Sequence, residues 1–307
     1  MFTRFVALLT AGIFLAGMQS ATAAAQGQDV IKDGLWTGYN MVFGNSGNGT
    51  TPSSAPALPK RNPTAYAALG DSVAAGYGLP QLTNSTATDR RCWRSAQAYP
   101  YLVASAKNMT LIHTACSGAT VGDLVTRQYQ NNYVFGAQLK KAFANGVPGV
   151  ISITAGANDI AWRTHLLACR DSTCGTQRQT AVSDALITAL ELKYDAVMTA
   201  ITIKSSGNPP AVVLTGYYNP VSPACTTVDS RITAAEITWV TERIAALNNA
   251  LQRVAARYDF VTNAPVNFSG HDLCASDPWI QGFNTRGALH PNTEGQQAIA
   301  NAVIGKF

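Results

Sequence analysis

The sequence predicts an α/β fold in which a parallel β-sheet is covered by helices on both faces. Short apolar runs of strand length alternate with longer segments whose apolar residues recur every three or four positions. The first four short runs end against glycine-containing or polar segments, as buried parallel strands do at their loop ends. Because such sheets bind ligands beyond the carboxyl ends of their strands, we expect function in the segments that follow the strands.

The alternation is explicit along the chain. The candidate strands are Ala65–Leu69, Thr110–Thr114, Val150–Thr154, Ala211–Thr215 and Phe260–Thr262. Helical spacing of apolar residues covers Ala96–Lys107, Gly136–Asn145, Arg178–Ile203 and Ile232–Tyr258. A last helix over Asn292–Ile304 is predicted by Pro291 before it and Glu294 in its first turn.

Composition limits the class of protein. Of 307 residues 47% are apolar and 13% charged, so the chain can bury a large core and is not disordered. The net charge of +5 is modest, and no basic stretch is interleaved with aromatic residues. Nucleic acid is therefore not an expected partner.

The N-terminus is typical of an export signal. One positive charge in Met1–Arg4 precedes the apolar run Phe5–Met18, and small residues follow. We interpret residues 1–25 as a signal peptide, cleaved after Ala23 or Ala25. The alternative is an uncleaved anchor, but a run of 14 residues is short for a bilayer.

The segment between the signal and the fold divides into two parts. Residues 26–43 have no assigned role, and Asn45–Pro63 is rich in Gly, Ser, Thr, Asn and Pro, as flexible linkers are. No second linker, internal repeat or composition shift follows. Residues 26–63 are therefore an N-terminal segment with a linker, and residues 64–307 are expected to form one domain.

The six cysteines are Cys92, Cys116, Cys169, Cys174, Cys225 and Cys274. An even number in an exported chain suggests three disulfides, of which sequential pairing is the simplest of many arrangements. Free buried thiols or a metal site are the alternatives. A metal site is poorly supported, because no two cysteines have C-x2-C spacing and the histidines are scattered.

The first predicted strand is followed by Gly70, Asp71 and Ser72. A serine where a strand turns into a helix has a free N–H and an exposed hydroxyl, and the helix dipole favours negative charge there. These are the requirements of a nucleophile, although an ordinary Asp-Ser turn has the same sequence. A phosphate loop is disfavoured, because Gly70, Gly76 and Gly78 match neither common nucleotide-binding spacing.

Two further strands are followed by residues suited to stabilising an oxyanion. Gly118, in Cys116–Ala119 after the second strand, lets the backbone approach a ligand and offer its N–H. Asn158, in Gly156–Asp159 after the third, has a side-chain amide that can donate to an oxyanion. Each segment alone is equally typical of a simple turn or a helix cap.

His290 lies directly before the last predicted helix and is followed by Pro291. A loop histidine held by a following proline can serve as general base for a distant serine. The alternative is a surface histidine. Of the others, His113 lies in an apolar strand and is expected to be structural, His165 is near two cysteines, and His271 either lines the site or packs against it.

Taken together, the four segments resemble the SGNH, or GDSL-type, hydrolase family, which is named for Ser, Gly, Asn and His residues on four blocks. The blocks stand here in the same order as Gly70–Ser72, Gly118, Gly156–Asp159 and His290–Pro291. The resemblance spans Tyr66 to Phe307. A finer likeness is to secreted actinobacterial-type lipases and esterases of this family, and it is carried by Cys92–Ser95, Ala98–Pro100, Cys116–Ala119 and Phe268–Cys274.

The resemblance implies a flavodoxin-like, three-layer α/β/α sandwich with a five-stranded parallel sheet. It also implies disulfides that pair Cys92 with Cys116, Cys169 with Cys174, and Cys225 with Cys274. It implies neither a metal nor an organic cofactor.

Carried over to this sequence, the resemblance gives each residue a role. Ser72 attacks an ester carbonyl and His290 takes its proton. The oxyanion is held by the N–H groups of Ser72 and Gly118 and by the side chain of Asn158. Asp71 is interpreted as a structural partner of the turn.

The predicted function is therefore a secreted serine ester hydrolase of the lipase or esterase type, acting through an acyl-enzyme. The expected substrate is a small-molecule or lipid ester, with at most peripheral contact with lipid surfaces, and a monomer is expected. The alternatives are a polysaccharide O-deacetylase or an acyltransferase on the same site, or a non-catalytic surface-binding protein on a decayed hydrolase scaffold.

One departure from the family pattern concerns the group behind the histidine. Many members carry an Asp three residues before it, where this chain has Gly287. We expect a serine–histidine dyad in which the carbonyl of Gly287 or Ala288 accepts the Nδ1 proton. Asp272 or Asp277 reaching in from another loop is the alternative.

Overall fold

The computed structural model describes residues 58–130, 132–228 and 231–307. The predicted signal peptide (1–25) and the following segment up to residue 57 lie outside the described residues. From Leu58 onward the chain forms one unit. Within it, no helix is long and apolar enough to span a bilayer.

The elements of the described chain follow one another as the sequence alternation suggests. The strands are β1 (Arg61–Gly70), β2 (Thr110–His113), β3 (Gln128–Gln130), β4 (Tyr133–Phe135), β5 (Val147–Thr154), β6 (Ala211–Thr215) and β7 (Val261–Ala264). The helices are α1 (Ser72–Ala75), α2 (Ala87–Arg91), α3 (Tyr99–Ala106), α4 (Gln138–Ala142), α5 (Trp162–Asp171), α6 (Gln177–Lys204), α7 (Cys225–Val228), α8 (Ala234–Ala255) and α9 (Thr293–Ile304).

The main sheet has five strands in the order β2-β1-β5-β6-β7, and every neighbouring pair is parallel. From β1 to β2 the chain moves toward one edge of the sheet, and from β5 through β6 to β7 it moves toward the other edge. Because parallel connections are right-handed, this reversal puts α3 on one face and α6 with α8 on the other. Helix α9 packs against α3, and α6 packs against α8. The predicted three-layer sandwich with a five-stranded parallel sheet is confirmed.

The point where the order reverses lies between β1 and β5, whose last residues Gly70 and Thr154 are paired in register. Ligands of open α/β sheets bind at such a switch point, outside the carboxyl ends of the strands. Ser72 follows β1 and Asn158 follows β5. The topology therefore brings two of the four predicted blocks to one place.

Gly70 is required where β1 ends. Its φ is +137°, and a Cβ there would lie 2.1 Å from the carbonyl oxygen of Thr154. The buried side chain of Gln138 pairs with the backbone of Gly70: its Oε1 accepts from the N–H at 2.7 Å, and its Nε2 donates to the carbonyl at 2.9 Å. This close packing fixes the direction in which the chain leaves the strand.

The structure differs from the predicted elements in several places, which include the short helices α2 and α7. Strand β1 begins at Arg61, inside the predicted linker, because Arg61 and Asn62 pair with the start of β5 before a register shift. The hairpin of β3 and β4 was not predicted, because each strand has only three residues and two of the three in β3 are glutamines. Helix α5 was not predicted either.

The six cysteines form three disulfides: Cys92–Cys116, Cys169–Cys174 and Cys225–Cys274. This is the sequential pairing that the resemblance implied. The first bridge ties the segment after α2 to the loop after β2, which carries Gly118.

Candidate active site

Ser72 is the first residue of α1, a single helical turn that begins immediately after β1. Asp71 caps this helix, since its Oδ1 accepts from the backbone N–H of Val73 at 2.8 Å. The backbone N–H of Asp71 donates to the carbonyl of Thr154 at 2.9 Å. Ser72 is half-buried and lines a cleft, with its N–H at the positive end of the helix.

Asp71 is buried, and its second oxygen accepts from the hydroxyl of Tyr217 at 2.6 Å. Burial raises the pKa of Asp71 to about 7, against the hydrogen bonds from Tyr217 and Val73, which lower it. Because this pKa lies above its usual value, the group favours the folded state at low pH and less so as the pH rises toward 7. Both oxygens bind the scaffold, which fits the predicted structural role of Asp71.

His290 faces Ser72 across the cleft. Its Nε2 lies 2.7 Å from Ser72 Oγ, and its Nδ1 lies 3.0 Å from the carbonyl oxygen of Ala288. A carbonyl oxygen can only accept a hydrogen bond, so Nδ1 carries the proton. Nε2 is then left to accept a hydrogen bond from the serine hydroxyl. The carbonyl of Gly287 instead accepts the backbone N–H of His290 at 2.8 Å. Of the two carbonyls predicted, Ala288 is the one beside the imidazole.

The two aspartates considered as alternatives bind elsewhere. Asp272 Oδ1 accepts from the N–H of Cys274 at 2.9 Å, and the Asp277 carboxylate lies 3.4 Å from His271 Nδ1. Within the described part of the chain, neither forms a hydrogen bond with His290.

Burial lowers the pKa of His290 below its ordinary value of 6.5. The carbonyls of Ala288 and Gly287 raise it, and the nearby positive charge of Arg163 lowers it further. The imidazole is therefore neutral near pH 7, the form that can accept a proton.

The loop of His290 is held from two sides. Leu289 has a φ of +69°, which a leucine adopts only when its surroundings enforce it. The hydroxyl of Tyr218 donates to the carbonyl of Leu289 at 2.7 Å. The backbone of Gln281 donates to the carbonyl of His290 at 2.8 Å and accepts from the N–H of Leu289 at 2.9 Å.

Gly118 and Asn158 complete the cleft beside Ser72. Asn158 donates one amide hydrogen to the carbonyl of Ala119 at 2.9 Å, which fixes its side chain and leaves its second hydrogen available. Gly118 has a φ of +80°, as glycine favours. Among the described residues, no bond is accepted from the N–H of Ser72 or of Gly118.

The cleft has a volume of about 460 Å³. Four aromatic side chains form much of its wall: Tyr77, Trp93, Trp162 and Tyr218. The ring of Tyr77 packs 4.9 Å from the imidazole of His290. This volume is in the range of small-molecule sites, and the wall is about equally polar and apolar.

The other histidines lie outside this arrangement. His113 Nε2 lies 3.0 Å from the carbonyl of Ala74, in keeping with its expected structural role. His165 packs edge-on against Trp239, and His271 stacks on Trp279 at 3.7 Å.

A possible metal-ligand cluster is formed by Cys225, Asp272 and Cys274. Both sulfurs are joined in a disulfide, so neither is available as a thiolate ligand.

The loops 163–177 and 217–231 were expected to line the site, but several residues that shape the cleft were not singled out from the sequence. Tyr217 and Tyr218 follow β6, and their place at a strand end was a usable signal. Gln130 and Arg163 belong to elements that were not predicted, the β3–β4 hairpin and α5.

A three-layer fold with a serine hydroxyl beside an imidazole at the sheet's switch point is the arrangement of SGNH-type hydrolases. The chain belongs to the GDSL-like lipase/acylhydrolase family, whose model matches residues 68–298. It is an ester hydrolase.

The chain is similar to lipases from Streptomyces. It is 30% identical over 243 residues to lipase 1 of Streptomyces coelicolor, covering 75% of this chain and 82% of that protein. It is 28% identical over 256 residues to a lipase of Streptomyces rimosus, covering 80% and 87%. The crystal structure of the extracellular lipase from Streptomyces rimosus matches with a TM-score of 0.65 and 26% identity, covering 80% of this chain and 100% of that one.

A variant at Tyr218 can test whether catalysis requires the hydrogen bond that holds the loop of His290. Tyr218→Phe removes the hydrogen bond to Leu289 and keeps the ring, so kcat is expected to fall about three- to tenfold. Steady-state kinetics on a nitrophenyl ester measure this. Tyr258→Phe is the matched control, because it removes a hydrogen bond to Asp195 of α6, and neither residue lines the cleft. An equal effect of both changes would contradict the account.

Proposed function

We propose that this ester hydrolase works through an acyl-enzyme on Ser72, with His290 as its general base. The single observation that carries the proposal is the 2.7 Å contact between Ser72 Oγ and His290 Nε2. The contact fits a base that must take the hydroxyl proton as the oxygen attacks.

The reaction follows from these positions. Ser72 Oγ bonds to the ester carbonyl carbon while its proton moves to His290 Nε2. The oxyanion accepts from the N–H groups of Ser72 and Gly118 and from Asn158; each such donor typically lowers a barrier by about 3 kcal/mol. The bond to the alcohol oxygen then breaks, and that oxygen takes the proton from Nε2.

Deacylation repeats the step with water. A water molecule attacks the acyl carbon and gives a proton to His290 Nε2, the acid leaves, and the proton returns to Ser72. The carbonyl of Ala288, 3.0 Å from Nδ1, orients the imidazole and stabilises its cation. A neutral carbonyl stabilises that cation less than a carboxylate does, so protonation of the imidazole relies on the oxyanion that forms beside it.

The expected substrates are lipid or simple acyl esters. The aromatic wall of the cleft and the similarity to proteins named lipases support this class.

We also propose that the protein is exported. The predicted signal peptide, the three disulfides and the extracellular lipase among its structural relatives support this. The N-terminus of the protein recovered from the medium is expected at Ala24 or Gln26, as read by terminal sequencing. An intact Met1 in that sample would contradict cleavage.

Covalent labelling tests the nucleophile directly. A fluorophosphonate probe is expected to label the wild type once and to leave Ser72→Ala unlabelled, because the probe phosphonylates an activated serine. Ser117→Ala, which changes another serine lining the cleft, is the control and should still be labelled. An unlabelled wild type, or labelling of Ser72→Ala, would refute the proposal.

The absence of a carboxylate partner predicts the acid limb of the pH–rate profile. Because His290 acts in its neutral form and its pKa is lowered, kcat/KM should fall with an apparent pKa below 6.5 as the pH is lowered. Asp277→Ala and Asp272→Asn should change kcat by less than about threefold, whereas His290→Ala should reduce it at least a thousandfold or so.

An acid limb above pH 6.5 would contradict a base without a carboxylate. So would a loss of about a thousandfold or more in either aspartate variant.

A further inference from the structure

Arg163 is a charged side chain in the cleft that has no partner among the described residues. It is the second residue of α5, is exposed, and lines the cleft with Ser72 and His290. Its position follows from the sharp start of α5, where Ala161 adopts a φ of +52° directly after the Asn158 segment. It forms no hydrogen bond, ion pair or ring contact with another described residue.

Other arginines of the described chain are used differently. Arg94 is buried against Asp89 at 2.7 Å, and Arg257 bonds both Glu191 and Asp195 at the surface. A guanidinium has five donors arranged to grip a carboxylate or a phosphate. In Arg163 these donors face the cleft and are left for a ligand.

Among the described residues that line the cleft, no acid is paired with Arg163. The acid that lines the cleft is Asp71, which is buried and bonded to Tyr217 and Val73. The phenols of Tyr217 and Tyr218 stay neutral, because burial raises their pKa values. A second cation, Arg286, has its guanidinium carbon 5.0 Å from the ring centre of Trp93, which lines the cleft. The cleft therefore favours a negative ligand.

Arg163 also lies close to the reacting atoms. Its positive charge contributes to the lowered pKa of His290. Because the guanidinium and Ser72 line the same cleft, an anion bound to Arg163 and an ester at Ser72 can belong to one substrate molecule.

We propose that Arg163 forms a subsite for an anionic group, a phosphate or a carboxylate, carried by the ester substrate. This proposal rests on the proposed function, because it places the scissile ester at Ser72. The bidentate contact selects substrates whose negative charge lies near the ester bond, on the acyl or on the alcohol side.

The subsite has a second consequence. A bound anion cancels the charge of Arg163 at the imidazole, so the pKa of His290 rises when an anionic substrate is bound. The groups facing the imidazole are Ser72, Tyr77, Arg163 and the carbonyls of Ala288 and Gly287. Of these, Arg163 is the cation that a substrate can neutralise.

Matched ester pairs test the subsite. On the acyl side, nitrophenyl hemisuccinate is compared with nitrophenyl butyrate; on the alcohol side, dihexanoylglycerol phosphate is compared with dihexanoylglycerol below its aggregation limit. The wild type is expected to prefer the anionic member of at least one pair about tenfold or more in kcat/KM, the scale of a charge-assisted pair. The pair that shows the preference tells whether Arg163 binds a carboxylate on the acyl side or a phosphate on the alcohol side.

The readout in variants is this preference ratio, which does not depend on how much of a preparation is active. Arg163→Gln should bring the ratio to within about twofold of unity, Arg163→Lys should keep part of it, and Arg163→Glu should invert it. Lys204→Gln removes the same charge at the end of α6, which leads into the amino end of β6, whereas the cleft lies at the carboxyl ends of the strands. This variant should leave the ratio unchanged. The acid limb of kcat should lie higher for the anionic than for the neutral ester in the wild type alone.

A wild type without preference in either pair, or a preference that persists in Arg163→Gln, would overturn the subsite. Failure of the proposed function is distinct: turnover of the neutral esters by Ser72→Ala would reveal it, whatever the ratio.

Discussion

The carboxyl ends of β1 and β5 lie so close together that they restrict the direction in which the chain leaves β1. Thr154 accepts from the N–H of Asp71 at 2.9 Å, and a side chain at Gly70 would collide with its carbonyl. The chain must turn at once into α1, which leaves the hydroxyl and N–H of Ser72 at the switch point of the sheet. The side-chain amide of Gln138 bonds both the N–H and the carbonyl of Gly70. The position of Ser72 is therefore set by contacts to the backbone that precedes it.

The histidine is positioned by backbone as well. His290 is oriented by the carbonyl of Ala288, and its loop is held by Tyr218 and Gln281. The side chain of Gln281 fills the space beside Gly287, where an aspartate side chain would start: a Cβ on Gly287 would lie 2.1 Å from Gln281 Oε1. Packing at Gly287 therefore leaves little room for a side chain, and among the described residues the carbonyl of Ala288 orients the imidazole.

Much of this arrangement can be predicted from sequence, because the signals are local. The strands of the main sheet are short apolar runs, and the four blocks follow strand ends or precede a capped helix. The partners of these blocks cannot be predicted locally: Tyr217 reaches Asp71 across 146 positions, and Gln138 reaches Gly70 across 68. Helix α5 was predicted as a loop for another reason: the neighbouring Cys169–Cys174 pair suggested one, although Trp162 and Leu166 recur at helical spacing.

The central claim is that a neutral imidazole, protonated on Nδ1 and paired with a carbonyl, serves Ser72. Nitrogen-15 NMR of histidine-labelled protein, with His290 assigned by comparison with His290→Asn, measures both the tautomer and the pKa. The account predicts that His290 titrates below 6.5 and that its neutral form carries the proton on Nδ1. A titration above 6.5, or a neutral form protonated on Nε2, would contradict it.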